Sequence, residues 1–171
     1  MNKSQKGFTI IEVALVLAVG ALIFLVVFLA VPALQRNQRN DARKRDQAQV
    51  VEAITSYIAN NPTKSLGDRS GTTVYDSKNL STTSPSGKAP DNFGKYIDKL
   101  STNTDQVKVY KTADDFKRLS DSDKRKTIGV VEGSICKDDY KDVQSGSARQ
   151  AAVLIYNETP RGFDIMCSTA N

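Results

Sequence analysis

The sequence predicts an α+β chain. One long N-terminal helix, transmembrane and then amphipathic, packs on a small antiparallel β-sheet head. Three observations carry this. Residues 8–34 form an apolar run in which only Thr9 and Glu12 are polar. Further on, Val50, Val51, Ile54, Tyr57 and Ile58 recur at helical spacing. The last third holds short β-rich segments, of which Thr127 to Glu132 and Ala151 to Tyr156 are the clearest. The chain divides accordingly into a leader (1–7), an apolar helix (8–34), its polar-to-amphipathic continuation (35–61) and a head (62–171).

The leader is short, polar and basic, with Lys3 and Lys6. As a helix, the apolar run would be about 40 Å long, more than the roughly 30 Å hydrocarbon core of a bilayer. A cleaved secretory signal fits poorly. Its apolar region would be roughly 7–15 residues, and Ala30-Val31-Pro32-Ala33 is a poor cleavage site because Pro32 restricts the backbone. Residues 35–49 are polar all round and rich in helix formers, which predicts a solvated middle for one helix running from about residue 8 to 60. Asn60-Asn61-Pro62 ends it. Gly20 and Pro32 are its weak points, since proline removes a backbone hydrogen bond and crowds the preceding turn.

Residues 63–92 read as mostly loop, with Thr72 to Tyr75 strand-like. Phe93 to Leu100 reads as a short helix and Val107 to Tyr110 as a strand. Thr112 caps a helix to about Leu119, with Asp114 and Asp115 favourable at its start. Asn157 to Gly162 reads as a turn, and Phe163 to Cys167 as the returning strand.

The formal charge of +5 is unevenly placed. Residues 36–45 carry five cations against Asp41, whereas 46–171 balance 17 basic with 17 acidic residues. The head is neutral overall, and its tyrosines are scattered among apolar residues. A nucleic-acid partner is therefore not indicated. There is no histidine, which removes the commonest general base and every His-containing metal site. Cys136 and Cys167 are too few and too far apart for zinc. Asp114-Asp115 and Asp138-Asp139 lack the spacing of a calcium loop. No cofactor and no catalytic residues are expected. Asn79-Leu-Ser and Asn157-Glu-Thr match glycosylation sequons, a pattern common by chance, and the Ser/Thr-rich loop 77–87 is a candidate for O-linked sugar.

Glu12 is the anomaly. A carboxylate inside a membrane-spanning helix is costly and needs a partner or a purpose. The run Gly7-Phe8-Thr9-Ile10-Ile11-Glu12, preceded by lysines and followed by an apolar helix, resembles the type IV pilin family, also called class III signal peptide proteins. The resemblance covers about the first 35 residues; beyond them it is one of layout.

The resemblance implies that a membrane-embedded prepilin peptidase cuts between Gly7 and Phe8 and methylates the new amine of Phe8. It implies an assembly platform with its ATPase, and a helical homopolymer in which Glu12 pairs with the Phe8 amine of a neighbour. It also implies a single-pass precursor in the cytoplasmic membrane, then a surface filament. Adhesion and twitching motility are activities associated with such filaments. The alternatives are a minor pilin or pseudopilin of a secretion or DNA-uptake system, and an anchored extracellular binding domain that never polymerises. Relative to the family pattern, Pro32 falls nearly a turn late, Gly20 about one residue early, and Val13 replaces the commoner leucine. The lysines of the leader would keep it cytoplasmic, although charge asymmetry alone, with the more basic 36–45, favours the opposite orientation. The family often staples its C-terminal region, which implies a Cys136–Cys167 disulfide; free buried thiols are the alternative.

Overall fold

The computed structural model describes residues 7–66, 70–76, 93–97 and 100–171, with side chains omitted at 70–72. The leader up to Lys6, the Asn79 sequon and the 77–87 loop lie outside the described residues. The chain divides into two compact units, one through Gln38 and one from Arg39 to the C-terminus.

Helix α1 spans Ile10–Asn60 and is assigned as helix across both Gly20 and Pro32. In the first unit its large apolar side chains are exposed. Ile10, Phe24 and Phe28 are each more than two-thirds exposed. This part is long and apolar enough to cross a membrane.

The second unit is built on a five-stranded sheet. Its strands are β1 (Ser70–Asp76), β2 (Gln106–Tyr110), β3 (Thr127–Glu132), β6 (Ala151–Thr159) and β7 (Gly162–Ala170), in the order β1-β2-β3-β6-β7. A separate two-stranded ribbon pairs β4 (Ser134–Cys136) with β5 (Val143–Ser145). The predicted α+β class holds, but the sheet is mixed rather than wholly antiparallel, because β2 and β3 run parallel. A parallel pair needs a crossover. Here residues 111–126 supply it through α2 (Ala113–Lys117) and α3 (Asp121–Lys124). Thr112 caps α2 by accepting from the Asp115 amide, as expected, and Ser120 caps α3 in the same way.

Strand β6 shows why the run Ala151 to Tyr156 is uniformly apolar. Ala151, Val153 and Ile155 join the core under α1, with Val50, Ile54 and Tyr57 of the helix. Ala152, Leu154 and Tyr156 face the other core, with Phe116 of α2. A strand covered on both faces loses its alternation. Gly129 of β3 lies beneath Phe116; a Cβ there would come within 2.5 Å of its ring. That ring stacks on Tyr156 at 4.9 Å between centroids.

The turn read at 157–162 is shorter than expected. The β6–β7 ladder continues to Thr159 opposite Gly162 and leaves only Pro160 and Arg161 in the turn. Asn157 is thus a strand residue, its amide donating to Met166 Sδ at 3.0 Å, a poor setting for a glycan. The predicted helix at 93–100 is a single 3₁₀ turn, Phe93–Tyr96, within the described residues.

Cys136 and Cys167 are bonded, joining β4 to β7 with Cα atoms 5.7 Å apart. Closing a loop of this length contributes about 3–4 kcal/mol in the chain-entropy picture. Reduction of the full-length chain in detergent is expected to lower the melting temperature by about 10 °C. An unchanged melt under reductant would show that the ribbon holds β7 without the bond.

Candidate assembly segment and the buried polar anchor

In the first unit the predicted processing residues sit outside the helix. Gly7, Phe8 and Thr9 precede α1, and Phe8 is 89% exposed. The Gly7–Phe8 peptide is therefore free of helical hydrogen bonds. A Cβ on Gly7 would meet nothing within 4 Å. Among the described residues, packing makes no demand for glycine there.

Glu12 has a partner within its own chain. Thr9 N and Thr9 Oγ1 each donate to Glu12 Oε2 at 2.9 Å, and the Glu12 amide donates back to Thr9 Oγ1 at 3.3 Å. This is a capping box, in which N-cap threonine and the glutamate three residues on satisfy each other's backbone groups. The Thr-x-x-Glu pattern was present in the sequence as a signal for it. Both bonds to the carboxylate go to Oε2. Oε1 accepts none among the described residues, so the cap occupies half of the carboxylate.

Residues 2–28 match the family model of the prokaryotic N-terminal methylation motif. The chain carries the class III signal peptide of type IV pilin-like proteins. No curated protein and no solved structure is matched by the chain. The motif implies processing by prepilin peptidase and use by a pilus or secretion assembly machinery. With the apolar helix it fits a membrane-anchored precursor, and it points to a structural pilin-like protein rather than an enzyme.

In the second unit, the stretch expected to be solvated is instead the polar anchor of the head. Arg43, Asp46 and Gln47 are each at least 96% buried. Their positions, with Arg39 and Asn40, continue the helical stripe of Val50, Ile54 and Tyr57. Burying polar groups costs free energy unless each finds a hydrogen bond, and here the backbone of the sheet and of the α3 C-cap supplies acceptors. Arg43 donates to the carbonyls of Tyr156 at 2.8 Å and Arg125 at 2.6 Å. Gln47 donates to the carbonyl of Val153 at 2.8 Å. Asn40 donates to the Glu158 carbonyl at 2.9 Å and accepts from its amide at 2.8 Å, extending the end of β6 as a neighbouring strand would. Asp46 accepts from Ser101 N, Ser101 Oγ and Thr104 Oγ1 at 2.6–2.8 Å, tying the 101–104 segment to α1.

Glu158 joins the two arginines. Arg39 reaches it at 2.6 Å and Arg43 at 3.3 Å, with the carboxylate side chain 7% exposed. The hydrogen bond from Arg39, opposed in part by burial, holds the Glu158 carboxyl below its ordinary value. Burial pulls the Arg43 guanidinium down from its ordinary value, and the nearby Glu158 charge partly offsets this.

Proposed function

We propose that this chain is the major structural subunit of a type IV pilus, a filament built from copies of itself. The observation that carries the reading is the methylation motif on a helix whose apolar side chains are exposed among the described residues. Prepilin peptidase cuts at Gly7–Phe8 and methylates the Phe8 amine. The assembly platform and its ATPase then draw the subunit from the cytoplasmic membrane into the extracellular filament. Residues 8–34 exchange lipid for the same segment of neighbouring copies.

The cut creates a cation beside the positive end of α1, where the helix dipole disfavours it. In a dry fibre core that cation needs an anion. Glu12 of a neighbour supplies it, using the Oε1 that the capping box leaves open, while Oε2 still holds Thr9. One carboxylate thus starts the helix and fixes the axial register between subunits. Gly20 and Pro32 mark the stretch where α1 opens if the fibre demands it, because Pro32 leaves one helical hydrogen bond unmade.

Mass spectrometry of protein from sheared surface filaments tests this. The expected result is a dominant chain beginning at methylated Phe8. A chain present only in traces beneath another subunit would make it a minor pilin or pseudopilin. Retention of residues 1–7 would leave an anchored binding domain.

A further inference from the structure

The basic neck at 36–45 is unused by the cap and by the proposed pairing of Glu12, and it conflicts with the charge rule for the outer side of a membrane. The structure gives two of its arginines a shared setting. A cavity of about 280 Å³ in the second unit is lined by Arg39, Arg43, Asn103, Arg125, Lys126 and Glu158, together with Thr102. Four cations thus face one carboxylate. Lys126 also pairs with Asp105 at 3.1 Å, which leaves an excess of two positive charges among the described residues. Glu158 is already shared by Arg39 and Arg43. Arg125 makes no ion pair among the described residues; its guanidinium lies 5.5 Å from the Phe163 ring centroid. Arg43 is 4% exposed, and its Nε has no hydrogen-bond partner among the described residues.

Guanidinium groups grouped around a cavity match the geometry of a phosphate oxyanion, which they bind through paired N–H donors. The geometry points to a phosphate-binding site here, with Arg125, which has no ion pair among the described residues, as its principal cation. Two sources carry this chemistry, the headgroup of an anionic phospholipid and free phosphate. Arg39 follows Leu34, the last residue of the apolar run, by five residues. Five residues of chain reach at most about 18 Å, so a headgroup layer around the end of that run lies within reach. A site of this kind gives the basic neck a use on the outer face of the membrane.

The full-length chain in dodecyl maltoside, a detergent without phosphate, can be titrated with inorganic phosphate by calorimetry. Saturable binding is expected, weakened about tenfold or more by Arg125→Gln, the loss of one charge-assisted contact. Arg149→Gln, an exposed site away from the cavity with the same change in charge, is expected to bind as wild type does. Arg125→Gln keeps the backbone carbonyl that Arg43 uses and loses only the contact with the Phe163 ring, so a melting temperature within a few degrees of wild type is expected. Lys126→Gln is a second variant with a smaller loss in the same direction. Absence of saturable binding, or equal binding by wild type and Arg125→Gln, would overturn the site. Phosphatidylglycerol added to the micelles then separates the sources. Competition with phosphate identifies the lipid headgroup, and phosphate binding without such competition identifies free phosphate.

Discussion

A Glu12→Gln chain is expected to be inserted and cut at Gly7–Phe8, yet to yield almost no filaments, while Thr9→Ala is expected to assemble within a few-fold of wild type. The pair separates the observed cap from the proposed charge pairing. Glutamine at the third helical position still closes a capping box, so α1 begins as before. It carries no charge for the neighbour's Phe8 amine. Opposite charges about 4 Å apart are worth roughly 4 kcal/mol at an effective dielectric near 20. That is almost a thousandfold in the equilibrium of each contact, and it recurs at every subunit added. Thr9→Ala removes the cap and leaves the carboxylate; a lost N-cap costs about 1 kcal/mol. If both variants fail alike, helix initiation and not charge pairing limits assembly. If Glu12→Gln assembles at normal yield, the pairing is wrong.

Removing Glu158 is expected to have the largest effect on the head. Glu158→Ala leaves Arg43 buried without its carboxylate, and stripping one partner from a buried pair costs about 3–5 kcal/mol. The melting temperature of the full-length chain should fall by about 10 °C or more. Acid tests the same group. Its folded carboxyl lies below its ordinary value of 4.5. It therefore contributes stability that is present above that value and lost as pH falls through the lower, folded one. Wild type should lose this increment below about pH 4.5, and Glu158→Gln should lack that part of the acid slope. An identical slope in both would place the acid lability elsewhere. Asp142 is then the next carboxyl to test, held well below its ordinary range chiefly by Lys137, the Val143 amide and Lys117.

The N-terminal segment and strand β6 were legible because their signals are local. The apolar run, the spacing from Gly7 to Glu12 and the strand-forming stretch Ala151 to Tyr156 each occupy consecutive residues. The parallel pairing of β2 with β3 was less plain, although its trace was there: a capped helix lay between two strands, the layout a crossover requires. Strands β4 and β5, three residues each, are too short to show a period.

The anchor was hidden for a different reason. Arg39, Arg43, Asp46 and Gln47 continue the apolar stripe in position but not in character. A polar side chain ordinarily marks solvent. What reverses that here is a set of partners 55 to 119 residues away in sequence, many of them backbone carbonyls that carry no residue-type signal. The same holds for the cavity between α1 and the α3–β3 corner, whose cations come from separate parts of the chain.

The central claim is that cleavage creates the cation that Glu12 receives from another copy. A filament map at side-chain resolution measures it directly, as the separation between the Phe8 amine and the nearest Glu12 carboxylate. A methylated Phe8 amine is expected within about 4 Å of Glu12 on a neighbouring subunit, with Thr9 still on the other oxygen. An ordered filament in which Glu12 meets only its own Thr9, and the Phe8 amine meets no carboxylate, would contradict it.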